Sequence, residues 1–297
     1  MHGRIEEKRR APSQGGWTHR PGDGHTPATP GTGPQGVSIE VWGERPRKRG
    51  PRDWDADTYD RISGPMARWG TSVLSRLTLV GDETVLDAGC GSGRVTERLA
   101  ERLPDGHVIA LDGSTAMIAA ARERLSRFGR RVEYVTADLE KRLPVKAGSA
   151  DAVLSTATFH WIGDHPRLFR GLAEVLRPGG RLVAQCGGQG NIKSVLRAIA
   201  AAGETWPGPW TLAGPDETKQ RLEAAGFTEV ETWLNDESTP LEAGEPLREY
   251  LRTVVLGAHL ERLKPDRRDA FVEAVAANLA TPTIDYVRLN IVATKKR

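Results

Sequence analysis

Residues Val85 to Val95 read VLDAGCGSGRV. A short apolar run meets an aspartate, and glycine then falls at alternate positions: Gly89, Gly91 and Gly93. A chain that leaves a buried strand and turns at once into a helix needs this, because glycine enters left-handed backbone without a Cβ penalty. The flanks agree. Leu86 belongs to a strand over 84–88, and Val95, Leu99 and Leu103 fall four residues apart, one stripe of a helix.

The same unit then recurs. HVIALD (His107 to Asp112) reads as a second buried strand, and Ser114 caps a helix carrying Met117, Ala121, Leu125 and Phe128. RVEYVTAD is a third strand ending near Asp138, and DAVLST (Asp151 to Thr156) a fourth. Leu168, Leu172, Val175 and Leu176 form a helix stopped by RPGG (Arg177 to Gly180), before a fifth strand at Arg181 to Cys186. Strands alternating with helices of this length predict an α/β fold, a doubly wound parallel sheet with helices on both faces. Downstream come a helix with Ile192, Val195, Leu196 and Ile199, another ending at Gly226, and a strand near Thr228 to Leu234. Two helices follow, one with Leu247, Tyr250, Leu251, Val254 and Val255, the other with Phe271, Val275 and Leu279. Ile284 to Lys296 alternates as a last strand, expected to pair antiparallel at the sheet edge and to complete seven strands. Residues 51–297 make one domain, with 235–281 as a helical lid.

Residues 1–50 are rich in Gly and Pro and poor in aliphatic side chains, which predicts disorder. RPRKRGPR (Arg45 to Arg52) ends that tail. It reads either as a solvated linker or as an electrostatic handle for RNA or an acidic partner. The net charge of the whole chain is small, +3, and no apolar run suits a membrane span. The first thirty residues lack an apolar signal core, and the two cysteines, Cys90 and Cys186, have no metal-ligand spacing. The expectation is a cytoplasmic protein with no metal site.

The glycine turn sits where doubly wound sheets bind ligands, outside the carboxyl ends of the strands. A dinucleotide fingerprint would place a glycine at position 94, which is Arg94. Asp87 would repel a pyrophosphate and attract an ammonium or sulfonium. Asp112, ending the second strand, is placed to accept two ribose hydroxyls, and Asp138 to accept from an adenine amine. Singly, Asp112 also reads as an acid favoured at a helix N-terminus and Asp87 as a turn cap. In register, the three describe a site for a cationic nucleoside.

VLDAGCGSG, LDGSTAMIAAA and TADLE resemble the first motifs of the class I S-adenosylmethionine-dependent methyltransferases, over roughly residues 54–190. The resemblance implies a Rossmann-like fold and S-adenosylmethionine as cofactor. It implies Asp87 and Gly89 at the methionine portion, Asp112 at the ribose, Asp138 with Leu139 at the adenine, and Met117 at the adenine edge or in ordinary core. Cys90, Gly91, Gly93, Gly113 and Thr156 are grouped with the same site.

After the fourth strand STATFHW (Ser155 to Trp161) lacks the Asn/Asp-Pro-Pro-aromatic clamp of nucleic-acid amino-methyltransferases, and neither cysteine is placed as a cytosine nucleophile. A small molecule is the expected partner, rather than nucleic acid or a membrane; the oligomeric state is not legible. DWDADTYDRIS, FHWIGDHPRLF, LVAQCGGQGN and YVRLNIVATKK are similar to the trans-aconitate methyltransferase group, with CGGQG departing from its usual continuation. This resemblance implies O-methylation of a small (poly)carboxylic acid, with Tyr59, Trp161, Gln185 and Arg288 at the substrate. Tyr59 and Trp54 read equally as core anchors, and Arg288 equally as a surface arginine on an edge strand. His160 has two readings: a general base for a hydroxylated natural-product or quinone-type acceptor, or a packing and binding residue beside Trp161. His165, beside Pro166, is expected to cap a helix or face solvent. A non-catalytic, cofactor-binding partner subunit is the remaining alternative.

Overall fold

A computed structural model describes residues 64–297, with side chains from residue 68. The tail over 1–50, Trp54 and Tyr59 lie outside the described residues. In chain order the elements are α1 (Gly64–Ser75), β1 (Thr84–Ala88), α2 (Arg94–Glu101), β2 (His107–Asp112), α3 (Thr115–Arg124) and β3 (Val132–Thr136). Next come β4 (Ala150–Thr156), α4 (His165–Val175), β5 (Leu176–Gly187), α5 (Lys193–Ala201), α6 (Pro215–Ala224) and β6 (Phe227–Asp236). The chain finishes with β7 (Thr239–Pro240), α7 (Glu245–Tyr250), a π turn over Leu251–Val255, α8 (Gly257–Arg262), α9 (Arg268–Ala277), β8 (Thr283–Ile284) and β9 (Val287–Lys295).

Seven strands form one sheet in the order β3-β2-β1-β4-β5-β9-β6. The ladders from β3 to β5 are parallel, and β9 runs antiparallel to both neighbours. Strict alternation along the strands feeds two cores. Leu86, Ile109, Val153 and Leu182 point with α4 and α6 to one face, while Val85, Val108, Leu154 and Val183 point with α1, α2 and α3 to the other. Burying each such side chain contributes roughly 1.5–3 kcal/mol. A third apolar cluster joins Trp69 and α5 to α7, α8, α9 and Tyr286.

Several expectations change in detail. The last strand is antiparallel, as expected, but it lies between β5 and β6 rather than at the edge. It is also broken: Ile284 belongs to a separate two-stranded ladder with Thr239, and Asp285 turns aside to accept from Ser194 N–H (2.8 Å) and Ser194 Oγ (2.5 Å) at the start of α5. Arg177–Gly180 stays within β5 as a bulge, since Ala150 pairs with Leu176 and Ala152 already pairs with Arg181. Phe128 lies beyond α3, in a 3-10 segment over Ser126–Arg131 broken by Gly129 at φ 56°. Among the described residues no helix is long and apolar enough to cross a membrane.

Candidate active site

Strand order brings together residues far apart in sequence. Asp87 near the end of β1, Thr156 ending β4, and Gln185 and Gly187 at the end of β5 lie on consecutive parallel strands. Because β9 is reversed, its first residues reach the same edge, and Arg288 stands opposite Gly187. Three strand spacings, about 14 Å across the sheet, separate β1 from β9, and Arg288, level with Gly187, also stands further along the strands than Asp87, which is level with Leu154 and Val183.

At the β1 end the turn is wound tightly. Gly89 and Cys90 both donate their N–H to Leu111 O, at 2.7 and 3.0 Å, and Gly93, in left-handed conformation, starts α2. A Cβ on Gly89 would stand 2.1 Å from Thr158 Oγ1, so Gly89 answers to the loop after β4 as much as to any ligand. Gly91, at φ 54°, has nothing within 4 Å on its Cβ side, and backbone is laid open there.

Asp87 is buried, and its Oδ2 accepts from Thr96 Oγ1 at 2.7 Å. Its Oδ1 is also buried and has no hydrogen-bond partner among the described residues. Burial first, and then the charge of Asp112, push its pKa up to about 7 against the pull of the Thr96 hydroxyl. Asp112 is half-buried, and its two oxygens accept from the N–H of Gly91 and of Ser114, each at 2.9 Å. Burial raises its pKa as well. Each of its oxygens keeps a lone pair for a further donor. Gly113 is half-buried beside it, and Met117, whose N–H is capped by Ser114 Oγ, is buried. After β3, Asp138 accepts from Glu140 N–H (2.9 Å) and pairs with Lys141 (3.4 Å), with Leu139 buried alongside.

After β4 the backbone is strained: Ala157 sits at φ 56°, its N–H bound to Gln185 O at 2.7 Å. That kink delivers Phe159–Trp161 as one 3-10 turn. His160 is buried there, and its Nδ1 accepts from Gly187 N–H at 3.3 Å. The neutral ring therefore carries its proton on Nε2, a tautomer assigned from that bond. Burial, then the charges of Arg288 and His165, hold its pKa well below the usual histidine range. Trp161 packs on it at 5.1 Å between ring centres.

Arg288 is buried, not on the surface, because β9 is an inner strand with both faces covered; its guanidinium lies over the Trp69 ring at 4.7 Å. Gln185 is engaged structurally. Its Nε2 donates to Asn290 Oδ1 (2.8 Å), which also receives Arg76 Nη1 (2.5 Å), and Asn290 Nδ2 donates to Asn235 Oδ1 (3.2 Å). His165 is buried rather than exposed: Asp164 is the helix cap, while His165 Nε2 donates to Phe159 O (3.0 Å) and its Nδ1 accepts from Arg221 (3.3 Å). Cys90 and Cys186 are both buried, and burial pushes the Cys186 thiol up to about 12 and the Cys90 thiol well above its ordinary value. Neither is a nucleophile in this setting.

Thr96, Thr158, Ala157 and Asn290 escape a reading of the sequence. Only the first carries a signal, a hydroxyl two positions into the helix that follows the acid-glycine turn.

The edge thus offers acids and open backbone at one end, and a guanidinium with a neutral imidazole at the other. A methyltransferase-domain family model matches residues 85–180. The trans-aconitate 2-methyltransferase of Methylobacterium radiotolerans is 30% identical over 239 residues, covering 75% of this chain and 87% of that protein. That of Yersinia pestis (strain Pestoides F) is 27% identical over 231 residues, with the same shares covered. Among solved structures, Haemonchus contortus phosphoethanolamine N-methyltransferase 2, in complex with phosphomonomethylethanolamine and S-adenosylhomocysteine, superposes with a TM-score of 0.56 at 22% identity, over 81% of this chain and 56% of that one. The chain belongs to the class I S-adenosylmethionine-dependent methyltransferases. Within that class it resembles the trans-aconitate methyltransferase group. It is an enzyme, and S-adenosylmethionine is its cofactor. The site fits that molecule: the buried Asp87 Oδ1 is an acceptor with no donor among the described residues, and Gly91 leaves space against backbone.

Proposed function

We propose that the enzyme methylates a carboxylate oxygen of a small organic acid. The observation that carries this reading is the Gly187 N–H bound to His160 Nδ1, directly opposite Arg288 on the next strand. It occupies the ring nitrogen that a general base would need free and leaves the proton on the other, which is then a donor. The acceptor end is therefore equipped to hold an anion, not to deprotonate a hydroxyl.

Asp87 Oδ1 would receive the cofactor's ammonium, Asp112 its ribose hydroxyls, and Asp138 with Leu139 and Met117 its adenine. Gly89, Cys90, Gly91, Gly93, Gly113 and Thr156 form the walls between them. When bound, S-adenosylmethionine would supply the acceptor oxygen with an electrophilic sulfonium methyl and a thioether leaving group. No proton moves, so the chain's task is placement. Arg288 and His160 Nε2–H fix the carboxylate, and Trp161 excludes water beside it. By resemblance Tyr59, outside the described residues, also serves the substrate, and the helices of 235–281 act as a lid over the acceptor. Gln185 supports the floor through Asn290.

The test is transfer of labelled methyl to a panel of small carboxylic acids, trans-aconitate among them, followed by mild alkali. Label released as methanol, and lost in Asp112→Ala, supports the reading. Label that survives alkali on a hydroxyl acceptor and vanishes in His160→Gln would replace it with base-assisted hydroxyl methylation.

A further inference from the structure

A series of ring contacts continues from His160 and Trp161. Trp161 stands 6.0 Å from Trp210, Trp210 stands 5.7 Å from His259, and His259 meets Trp206 at 4.8 Å and Phe271 at 6.2 Å. The segment is built for this. Thr211 N–H donates to His160 O at 2.8 Å, and Gly208 lets the Trp210 ring fold back to where a Cβ would stand 2.2 Å from it. Trp161, Trp206 and Trp210 are only half-buried, whereas His259 is fully buried. Its Nε2 donates to Trp206 O at 3.2 Å, and its Nδ1 is buried with no partner among the described residues. An isolated buried acceptor of this kind is costly unless something donates to it. Cations are scarce by contrast: Arg288 is the one buried Arg or Lys among the described residues. The nearby Arg76 is half-buried and already engaged by Asn290 Oδ1, so a second and third carboxylate would find no buried cation of their own.

We infer that the acceptor is a monocarboxylic acid with a flat, unsaturated or aromatic body, its carboxylate at Arg288 and His160, its body along Trp161 and Trp210, and a hydroxyl or N–H at its far end donating to His259 Nδ1. This rests on the carboxylate reading above and narrows it.

The experiment compares trans-cinnamate, 4-hydroxycinnamate and trans-aconitate in two ways: by quenching of tryptophan fluorescence with S-adenosylhomocysteine present, and by methyl transfer scored for alkali lability. The hydroxycinnamate should bind at least tenfold more tightly than trans-aconitate and be esterified with the higher kcat/KM. Trp210→Ala should weaken it about tenfold or more with S-adenosylhomocysteine affinity unchanged. His259→Phe should abolish its advantage over cinnamate. If trans-aconitate is esterified best and Trp210→Ala leaves all three acids alike, this inference falls while carboxyl methylation stands. Alkali-stable label on the phenol, or no transfer to any acid with cofactor still bound, overturns both.

Discussion

Thr96 Oγ1 donates to Asp87 Oδ2 at 2.7 Å, and nothing among the described residues serves Oδ1 of the same carboxylate. A buried acid half satisfied in this way sits near neutrality, at about 7. Its folded pKa lies above that of an unfolded aspartate, so the free protein loses stability as pH rises from about 4 to about 7. An ammonium ligand reverses the balance by favouring the ionised form. Titration calorimetry should therefore show S-adenosylhomocysteine binding more tightly as pH rises from about 6 to about 8, by up to about tenfold per unit below the pKa, with proton release. Asp87→Asn should weaken binding and flatten that slope. A slope unchanged in Asp87→Asn would remove Asp87 from the ammonium site.

Gly89 and Thr158 are paired by shape. Gly89→Ala places a methyl 2.1 Å from Thr158 Oγ1 on backbone at φ 86°. The left-handed penalty is roughly 1–2 kcal/mol, and the overlap adds about 1–3 kcal/mol. Denaturant titration should show the sum in the single variant and only the backbone part in Gly89→Ala with Thr158→Gly. An equal loss in both would mean that Thr158 is not what Gly89 accommodates.

Arg288 and His160 make separable predictions. Arg288→Met should raise KM for the acid on the order of thirty-fold or more, since a buried charge partner is worth about 2–5 kcal/mol, with cofactor affinity unchanged. His160, already neutral through burial and the Arg288 charge, should contribute no limb to the pH–rate profile between about pH 5 and 8. An acid limb present in the wild type and absent in His160→Gln would show a base at work.

The core makes an ordinary prediction. Phe169 on α4 is fully buried and meets Phe159 edge-on at 5.9 Å, just ahead of His160. Phe169→Ala should cost about 3–5 kcal/mol in chemical denaturation. It should also lower kcat, because the turn that carries His160 rests on it.

The parallel half of the fold was legible because local and global signals coincide there. Period-four stripes, glycine breaks and acids at strand ends all name the same strand-turn-helix unit, and Thr84–Ala88 and His107–Asp112 stand where the sequence puts them. The last strand was harder. Alternation in Ile284 to Lys296 marks extended backbone but not which strands lie beside it, and insertion between β5 and β6 buries Arg288. The acid-glycine motif marked one end of the candidate site. The other depends on contacts between distant segments, such as Gly187 with His160 and Trp210 with His259, which no local pattern encodes.

The most direct test of carboxyl methylation is mass spectrometry of the product made from an acid whose carboxyl oxygens are both heavy isotopes. Attack by the carboxylate predicts a methyl ester that retains both heavy oxygens, made by the wild type and lost in Arg288→Met. Methyl found elsewhere on the molecule, with the carboxyl still free, would contradict the account.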